Sequence, residues 1–268
     1  MRSLALNLYF YAFTTFVAMT LYGVAKLGSQ RRMHRIVNFW GRGVRAGVHA
    51  ILGSRIEVRG LENLPEGGPR LLVSKHQSEL DVVMIAVLFP EASAIAMQEL
   101  TKYPFFGAIL RGLDVVLVSV EGGPQGRTQQ AVEGALRMKE LGRPMLIYPE
   151  GELMALGAKE RYRSGVAHLY AALGVEAVPI AASLGVIWPR RLWQKRSGQQ
   201  AAVEILPPIP PGLDKDAFMK EVETRIETAT MALIREHAKG EVLAAAEDRW
   251  ARGVNNHGEV VERLGSYA

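Results

Sequence analysis

The sequence predicts an α/β fold: a largely parallel central sheet flanked by helices, with an N-terminal membrane-associated helix pair. Three observations predict it. Short apolar runs alternate with helical segments between residues 55 and 206, the pattern of strand–helix–strand units around a parallel sheet. A charge-free apolar run extends from Ser3 to Ala25; as a helix it would be ~35 Å long, enough for a bilayer core. The charge is also lopsided. The first 56 residues hold eight basic residues and no acid, so a net charge of +5 leaves −3 for the remainder.

The chain has 268 residues, room for one sizeable domain with attachments. It contains no cysteine, which excludes disulfides and thiolate metal sites. Residues 1–55 read as a membrane-associated two-helix segment, 56–212 as the core domain, and 213–268 as C-terminal helices packing on that core. A cleaved signal peptide competes for the first segment, but its apolar region would be long and no A-x-A site follows. Lys26, Arg31, Arg32 and Arg35 place the side after the first helix in the cytoplasm, as at a bacterial inner membrane. In residues 30–53, Met33, Ile36, Val37, Trp40, Val44, Val48 and Ile51 recur at three- and four-residue steps, one helical face. With Arg35, Arg42 and Arg45 elsewhere on the wheel, this basic amphipathic helix suits an anionic bilayer surface; packing on the core is the other reading. Nucleic acid is the rival partner for a basic helix. The apolar neighbour and the weakly acidic remainder argue against it.

Strands are expected at Arg55–Arg59, Arg70–Val73, Ala92–Met97, Asp114–Val118, Pro144–Tyr148, Ala177–Ser183 and Ala202–Leu206. Helices are expected at Val82–Phe89, at Tyr103–Arg111 begun by Pro104, at Gln129–Leu141, and at Ser164–Leu173 closed by Gly174. Glu121–Gly126 reads as a loop and lacks the lysine and hydroxyl of a phosphate-cradling motif. Beyond Gly212, Phe218, Val222, Ile226, Ala229 and Leu233 mark a long amphipathic helix, followed by a short Ala/Glu-rich one. Asn255–Gly258 is a turn, and the tail from Glu259 is a covering helix or frayed end.

The chemistry concentrates where the second strand ends, at Ser74-Lys75-His76-Gln77-Ser78-Glu79-Leu80-Asp81. Ligand sites collect at such strand ends. A neutral imidazole can accept a proton near pH 7, and a carboxylate on its other nitrogen fixes the tautomer. Five residues separate His76 from Asp81, roughly 140° on one helix. They meet only if His76 lies on the loop and Asp81 on the first helical turn. The plainer alternative makes Asp81 a helix-start residue. No nucleophile-elbow serine or cysteine accompanies the pair, so the base would act on a substrate hydroxyl directly. His34, His49, His168, His237 and His257 show no metal-ligand spacing, and no metal or cofactor is expected.

His76-x4-Asp81 resembles the signature of the glycerolipid acyltransferases, the family that includes the 1-acylglycerol-3-phosphate acyltransferases. Tyr103-Pro104-Phe105-Phe106-Gly107, Tyr148-Pro149-Glu150-Gly151 and Val178-Pro179-Ile180 follow in the order and spacing of that family's blocks. Trp188-Pro189-Arg190-Arg191 and the proline-rich stretch 206–213 are similar to bacterial members. The resemblance implies acyl transfer at a membrane, without metal, from acyl-CoA or acyl-ACP as co-substrate to a lysolipid acceptor. It implies that His76 and Asp81 are catalytic, and that Glu150, Gly151 and Gly107 shape the acceptor site.

The departures bear on the acceptor. In most phosphate-specific members the third block continues with threonine and arginine; here it continues Glu152-Leu153. The second block usually ends in arginine; here the strand runs Val115-Val116-Leu117-Val118-Ser119. Met97-Gln98 stands where a lysine often precedes the Glu-Leu pair, and Lys75 where asparagine often precedes the histidine. A phosphate monoester wants fixed cations. Arg111 and Arg163, with Lys159 and Arg161, are the available substitutes. The alternatives left open are an acceptor lacking a phosphate monoester, an inactive lipid-binding homologue, and a hydrolase using the same pair.

Overall fold

The computed structural model describes residues 1–261 except 65, 66, 104, 105, 120 and 122. Seven strands are formed among them: β1 (Arg55–Arg59), β2 (Leu71–Ser74), β3 (Ser93–Met97), β4 (Val116–Val118), β5 (Met145–Ile147), β6 (Ala177–Ala182) and β7 (Gln200–Ile205). They make one sheet in the order β1-β7-β6-β2-β5-β3-β4. All neighbours pair in parallel except β6 and β7. The sheet is thus largely parallel, with β1 and β7 running against the other five strands.

Residues of β2 show why the sheet is covered on both faces. Leu72 joins one apolar cluster while Leu71 and Val73 join another, and all three are fully buried. Successive side chains of a strand point to opposite faces, so a strand buried on both sides reads as a continuous apolar run. Helices α1 (Arg2–Lys26), α2 (Gln30–Leu52) and α3 (Glu79–Leu88) supply the Leu72 side through Leu6, Val44, Val48, Leu80 and Met84. On the other side, α5 (Gly123–Glu140), α6 (Gly165–Leu173) and α7 (Lys215–His237) supply Met138, Val166, Tyr170, Phe218 and Val222. The short α4 (Phe106–Gly112) packs on α1, and α8 (Gly240–Arg252) on α7.

Helix α2 departs from the surface-lying expectation. Met33, Val44, Val48 and Leu52 are buried within the molecule, and the helix packs on α1 and α3. Its apolar stripe is therefore satisfied by protein, while Arg31, Arg32, Arg35 and Arg42 remain exposed. Arg45 donates to the Ile56 carbonyl at 3.0 Å. Helix α1 keeps one face for solvent or lipid: Leu4, Leu8, Tyr11, Phe16 and Met19 are exposed.

Two other expectations shift. Gly123 and Pro124 open α5 rather than belonging to a loop, since proline is well tolerated in a first helical turn. After the expected turn at Asn255–Gly258, the tail from Glu259, expected as a covering helix or frayed end, starts with an antiparallel bridge between Val254 and Val260. Pro104, expected to begin α4, lies outside the described residues, as do residues 262–268.

The α1–α2 contact depends on two glycines one helical turn apart. A Cβ on Gly43 would lie 2.5 Å from the Phe13 ring, and one on Gly47 would lie 2.3 Å from the Tyr9 ring. Tyr9 and Phe13 stack on each other at 5.5 Å and fill the groove that the missing side chains leave. Tyr9 also donates to the Gly43 carbonyl at 2.9 Å. Gly47→Val should overpack this seam at a cost of roughly 1–3 kcal/mol. Thermal unfolding of the variant is expected to show a Tm lower by several degrees; an unchanged Tm would mean the helix pair is not held by this contact.

Candidate active site

Strands β2, β5 and β3 are parallel, so their C-terminal ends open on one edge of the sheet. His76 stands two residues beyond β2 on the connection to α3. Ser78 begins that helix with a capping box: its hydroxyl accepts from Leu80 N–H at 3.1 Å, and Asp81 accepts from Ser78 N–H at 2.8 Å. Both sequence readings of Asp81 therefore apply at once. The same Oδ2 atom also accepts the Gln77 N–H at 2.6 Å and faces His76 Nδ1 at 3.0 Å.

This geometry fixes the imidazole. An aspartate oxygen that already accepts two backbone N–H groups takes a third hydrogen from Nδ1, leaving Nε2 as the acceptor nitrogen. The ring is further held by the Tyr148 ring, stacked at 3.9 Å between centroids. His76 retains 17% side-chain exposure while Asp81 has 2%, so the pair is buried at its anchor and open at its tip. The Met154 N–H donates to the His76 carbonyl at 2.6 Å, which ties the loop after β5 to the histidine.

Residues 55–183 match the family model described as Acyltransferase. The chain carries an acyltransferase-family domain. It is 32% identical over 167 residues to the 1-acyl-sn-glycerol-3-phosphate acyltransferase of Pseudomonas aeruginosa, covering 62% of this chain and 64% of that relative. It is 29% identical over 195 residues to the 1-acyl-sn-glycerol-3-phosphate acyltransferase alpha of Homo sapiens, covering 69% and 66%. The chain thus spans just under two thirds of the length of these relatives. The crystal structure of the 1-acyl-sn-glycerophosphate (LPA) acyltransferase PlsC from Thermotoga maritima matches in fold, with a TM-score of 0.72 over 89% of this chain and 100% of that one, at 21% identity.

Within this acyltransferase domain the remaining predicted residues fall into separate groups. Gly151 adopts φ +74 in the turn after β5, a backbone conformation favoured by glycine. A Cβ there would lie 2.3 Å from the Arg163 guanidinium, so Arg163, itself exposed, lies directly over the turn. Gly107 and Arg111 sit one turn apart on α4, with Arg111 Nη1 3.2 Å from where a Gly107 Cβ would be. They belong to the β3 side of the edge, separated from His76 by β5 in the sheet order.

Glu150 is placed differently from the expectation that its carboxylate serves the acceptor. It is 1% exposed and lies 2.8 Å from Lys75 Nζ. Lys75, itself fully buried, also contacts Glu227 Oε1 on α7 at 2.6 Å, and Tyr162 donates to the same oxygen at 2.9 Å. Lys75, the departure from the customary asparagine, is therefore answered by Glu227, 152 residues away. Sequence reasoning missed Glu227 and Tyr162, because nothing in a helix's polar pattern reports a partner at such separation. Burial pushes the Glu150 carboxyl up to about 7, with Lys75 opposing that shift and Glu227 reinforcing it. The two carboxylates keep the Lys75 pKa above its ordinary value against its own burial.

Glu57, Glu236 and His237 also come together, at the β1 edge of the sheet, a grouping that sequence spacing did not suggest. Both carboxylates already bind Arg59, at 2.7 and 2.6 Å.

Two outcomes test the buried network. Lys75→Met should cost roughly 3–5 kcal/mol in stability, because it leaves carboxylates buried without their cation; unfolding in denaturant measures it. The pH dependence follows from Glu150. Its folded pKa is raised, so its stabilising contribution is complete below about pH 4.5 and is lost as pH rises through about 7. Glu150→Gln should flatten the fall of Tm over that interval, and identical pH profiles would contradict the assignment.

Proposed function

We propose that this chain is a membrane-bound O-acyltransferase. It moves an acyl group from a coenzyme A or acyl carrier protein thioester to the hydroxyl of a lysolipid, with 1-acylglycerol 3-phosphate as the acceptor. The observation that carries the reading is His76 Nδ1 held 3.0 Å from Asp81 Oδ2 at the open end of the parallel strands. The acceptor class rests on the relatives, which are named for 1-acyl-sn-glycerol-3-phosphate.

The steps follow from that geometry. Nε2 of His76 removes the proton of the acceptor hydroxyl as its oxygen attacks the thioester carbonyl. Asp81 stabilises the imidazolium that forms. The tetrahedral adduct collapses and the C–S bond breaks. The thiolate takes the proton from Nε2, and because a thiol has a pKa of about 8.5 it leaves without a strong acid. Arg163 lies over the Gly151 turn, and Arg111 lies further along the same edge; both are offered as contacts for the acceptor phosphate.

The membrane reading rests on α1. Its exposed apolar residues Leu8, Phe16 and Met19 form one face, of the kind that marks a lipid or protein contact. Both ends of α1 are held by the domain: Asn7 donates to the Trp193 carbonyl at 2.8 Å, and Ala25 packs beside Gly112 of α4. A helix held along its length against a globular domain lies in the interface rather than crossing the bilayer. Exposed Arg31, Arg32 and Arg35 favour the cytoplasmic leaflet, as at a bacterial inner membrane.

An acyl-transfer assay on detergent-solubilised protein, with acyl-CoA and a panel of lysolipids, tests the function. His76→Ala should lower the rate by roughly 10²–10⁴-fold; full transfer by this variant would end the assignment. A better rate with an acceptor lacking a phosphate monoester would correct the acceptor, and thioester consumption by water alone would indicate a hydrolase. Leu8→Asp with Phe16→Asp should release the protein from anionic vesicles in a flotation assay, and retained flotation would remove α1 as the membrane contact.

A further inference from the structure

A cavity of about 410 Å³ lies beside the His76 loop, between the segment after β5, the Trp188–Arg196 segment and α8. It shares backbone with the catalytic pair. Gln77, the residue after His76, lines it, and so does Met154, whose N–H holds the His76 carbonyl. The acyl-transfer steps do not use this space, although Pro189 and Arg190 on its wall belong to the stretch similar to bacterial members.

Its walls are cationic. Arg190, Arg196 and Arg249 line it, against one carboxylate, Glu241. Arg196 donates to the carbonyls of Gly185 and Val186 at 3.1 and 3.2 Å, and Arg249 to the Leu156 carbonyl at 3.1 Å. Each of these bonds uses Nη1, which orients a fork with further N–H groups to offer. Arg190 has a side chain only 19% exposed, and Glu152, the nearest carboxylate, stands 4.0 Å away. Burial lowers the pKa of both Arg190 and Arg196. A second, independent observation points to a ligand. Gln77 is 1% exposed, yet its amide nitrogen and oxygen have no hydrogen-bond partner among the described residues. An unmet buried amide is costly, and the residue that carries it lines the arginine-lined space.

We infer that this cavity receives the phosphate-bearing part of a co-substrate, with Arg190 as the principal cation and the Gln77 amide as a hydrogen-bonding partner. Guanidinium groups suit phosphate because their N–H forks match its oxygens. The inference rests on the acyl-transfer reading and supplies the cations that the family blocks lack. The phosphate belongs either to the lysolipid acceptor or to the coenzyme A thioester. The loop bearing Arg190 favours neither source alone. It is pinned to α1 through Trp193 and Ser3, and so faces the lipid side, while the cavity itself opens beside the reacting histidine.

The test compares Arg190→Ala, Arg190→Lys and, as a neighbouring exposed cation outside the cavity lining, Arg191→Ala. Apparent KM is measured separately for 1-acylglycerol 3-phosphate and for acyl-CoA. Arg190→Ala should raise one of the two KM values about ten-fold or more, the loss expected for a charge-assisted bond, with kcat little changed. Arg190→Lys should recover part of the loss, and Arg191→Ala should match the unaltered chain. The substrate whose KM moves is the source of the phosphate. Direct titration of 1-acylglycerol 3-phosphate and of coenzyme A into His76→Ala protein, with and without Arg190→Ala, gives the same comparison without turnover. If the unaltered chain transfers no acyl group yet Arg190→Ala weakens binding, the function fails and the site stands. If transfer is intact and neither KM nor either titration responds to Arg190→Ala, the site is overturned.

Discussion

A lysine ammonium with no exposed surface governs the architecture around the histidine. An isolated charge in a protein interior is prohibitively costly, and it persists only where opposite charges and hydrogen bonds meet it. Lys75 sits between Glu150 and Glu227, and so three elements that are distant in sequence must arrive together: the end of β2, the turn after β5, and the middle of α7. His76 follows Lys75 directly, and Tyr148, which stacks on the imidazole, lies two residues before Glu150. The ion pairs thus clamp the two segments that carry the imidazole ring and its stacking partner. The arrangement carries one carboxylate more than it has ammonium groups; burial raises the pKa of Glu150, and the second carboxylate, Glu227, adds to that rise.

Much of the fold was legible because it depends on local pattern. The apolar runs of β2, β5 and β6, the glycine that closes α6, and the period of α7 all follow from burial on one or two faces. Strand direction was less legible. Nothing in Gln200–Ile205 tells that β7 runs antiparallel to β6 while pairing in parallel with β1. Helix α2 shows a different limit. Its apolar stripe and basic face read equally well as a helix on a bilayer or a helix on a core, and its glycines decided nothing until Tyr9 and Phe13 were seen to occupy the space above them.

The site divides along the same line. His76 and Asp81 could be picked out because five residues and a helix start suffice to bring them together. Asp81 reads as a helix cap or as the partner of a base, and one oxygen atom serves both purposes. Glu150 was legible as a motif residue but not in its surroundings, since the second carboxylate on its lysine partner, Glu227, lies on a helix whose polar face gives no hint of a buried lysine. Lys75 appeared only as a lost asparagine. Its meaning depends on contacts made across the whole domain.

The bond between Asn7 and the Trp193 carbonyl spans 186 residues, and this has a consequence for how the protein is made. Helix α1 leaves the ribosome well before the loop that receives it, which is synthesised only after six of the seven strands. During that interval α1 has α2 and, once residue 112 has been made, α4 to pack on. Contacts between residues so far apart in sequence form late, and apolar surface exposed meanwhile invites aggregation. A lipid surface or a chaperone that shelters the exposed row from Leu4 to Met19 would protect the nascent chain. The face proposed to seat the finished protein on a membrane would then also be the face that needs cover during its synthesis.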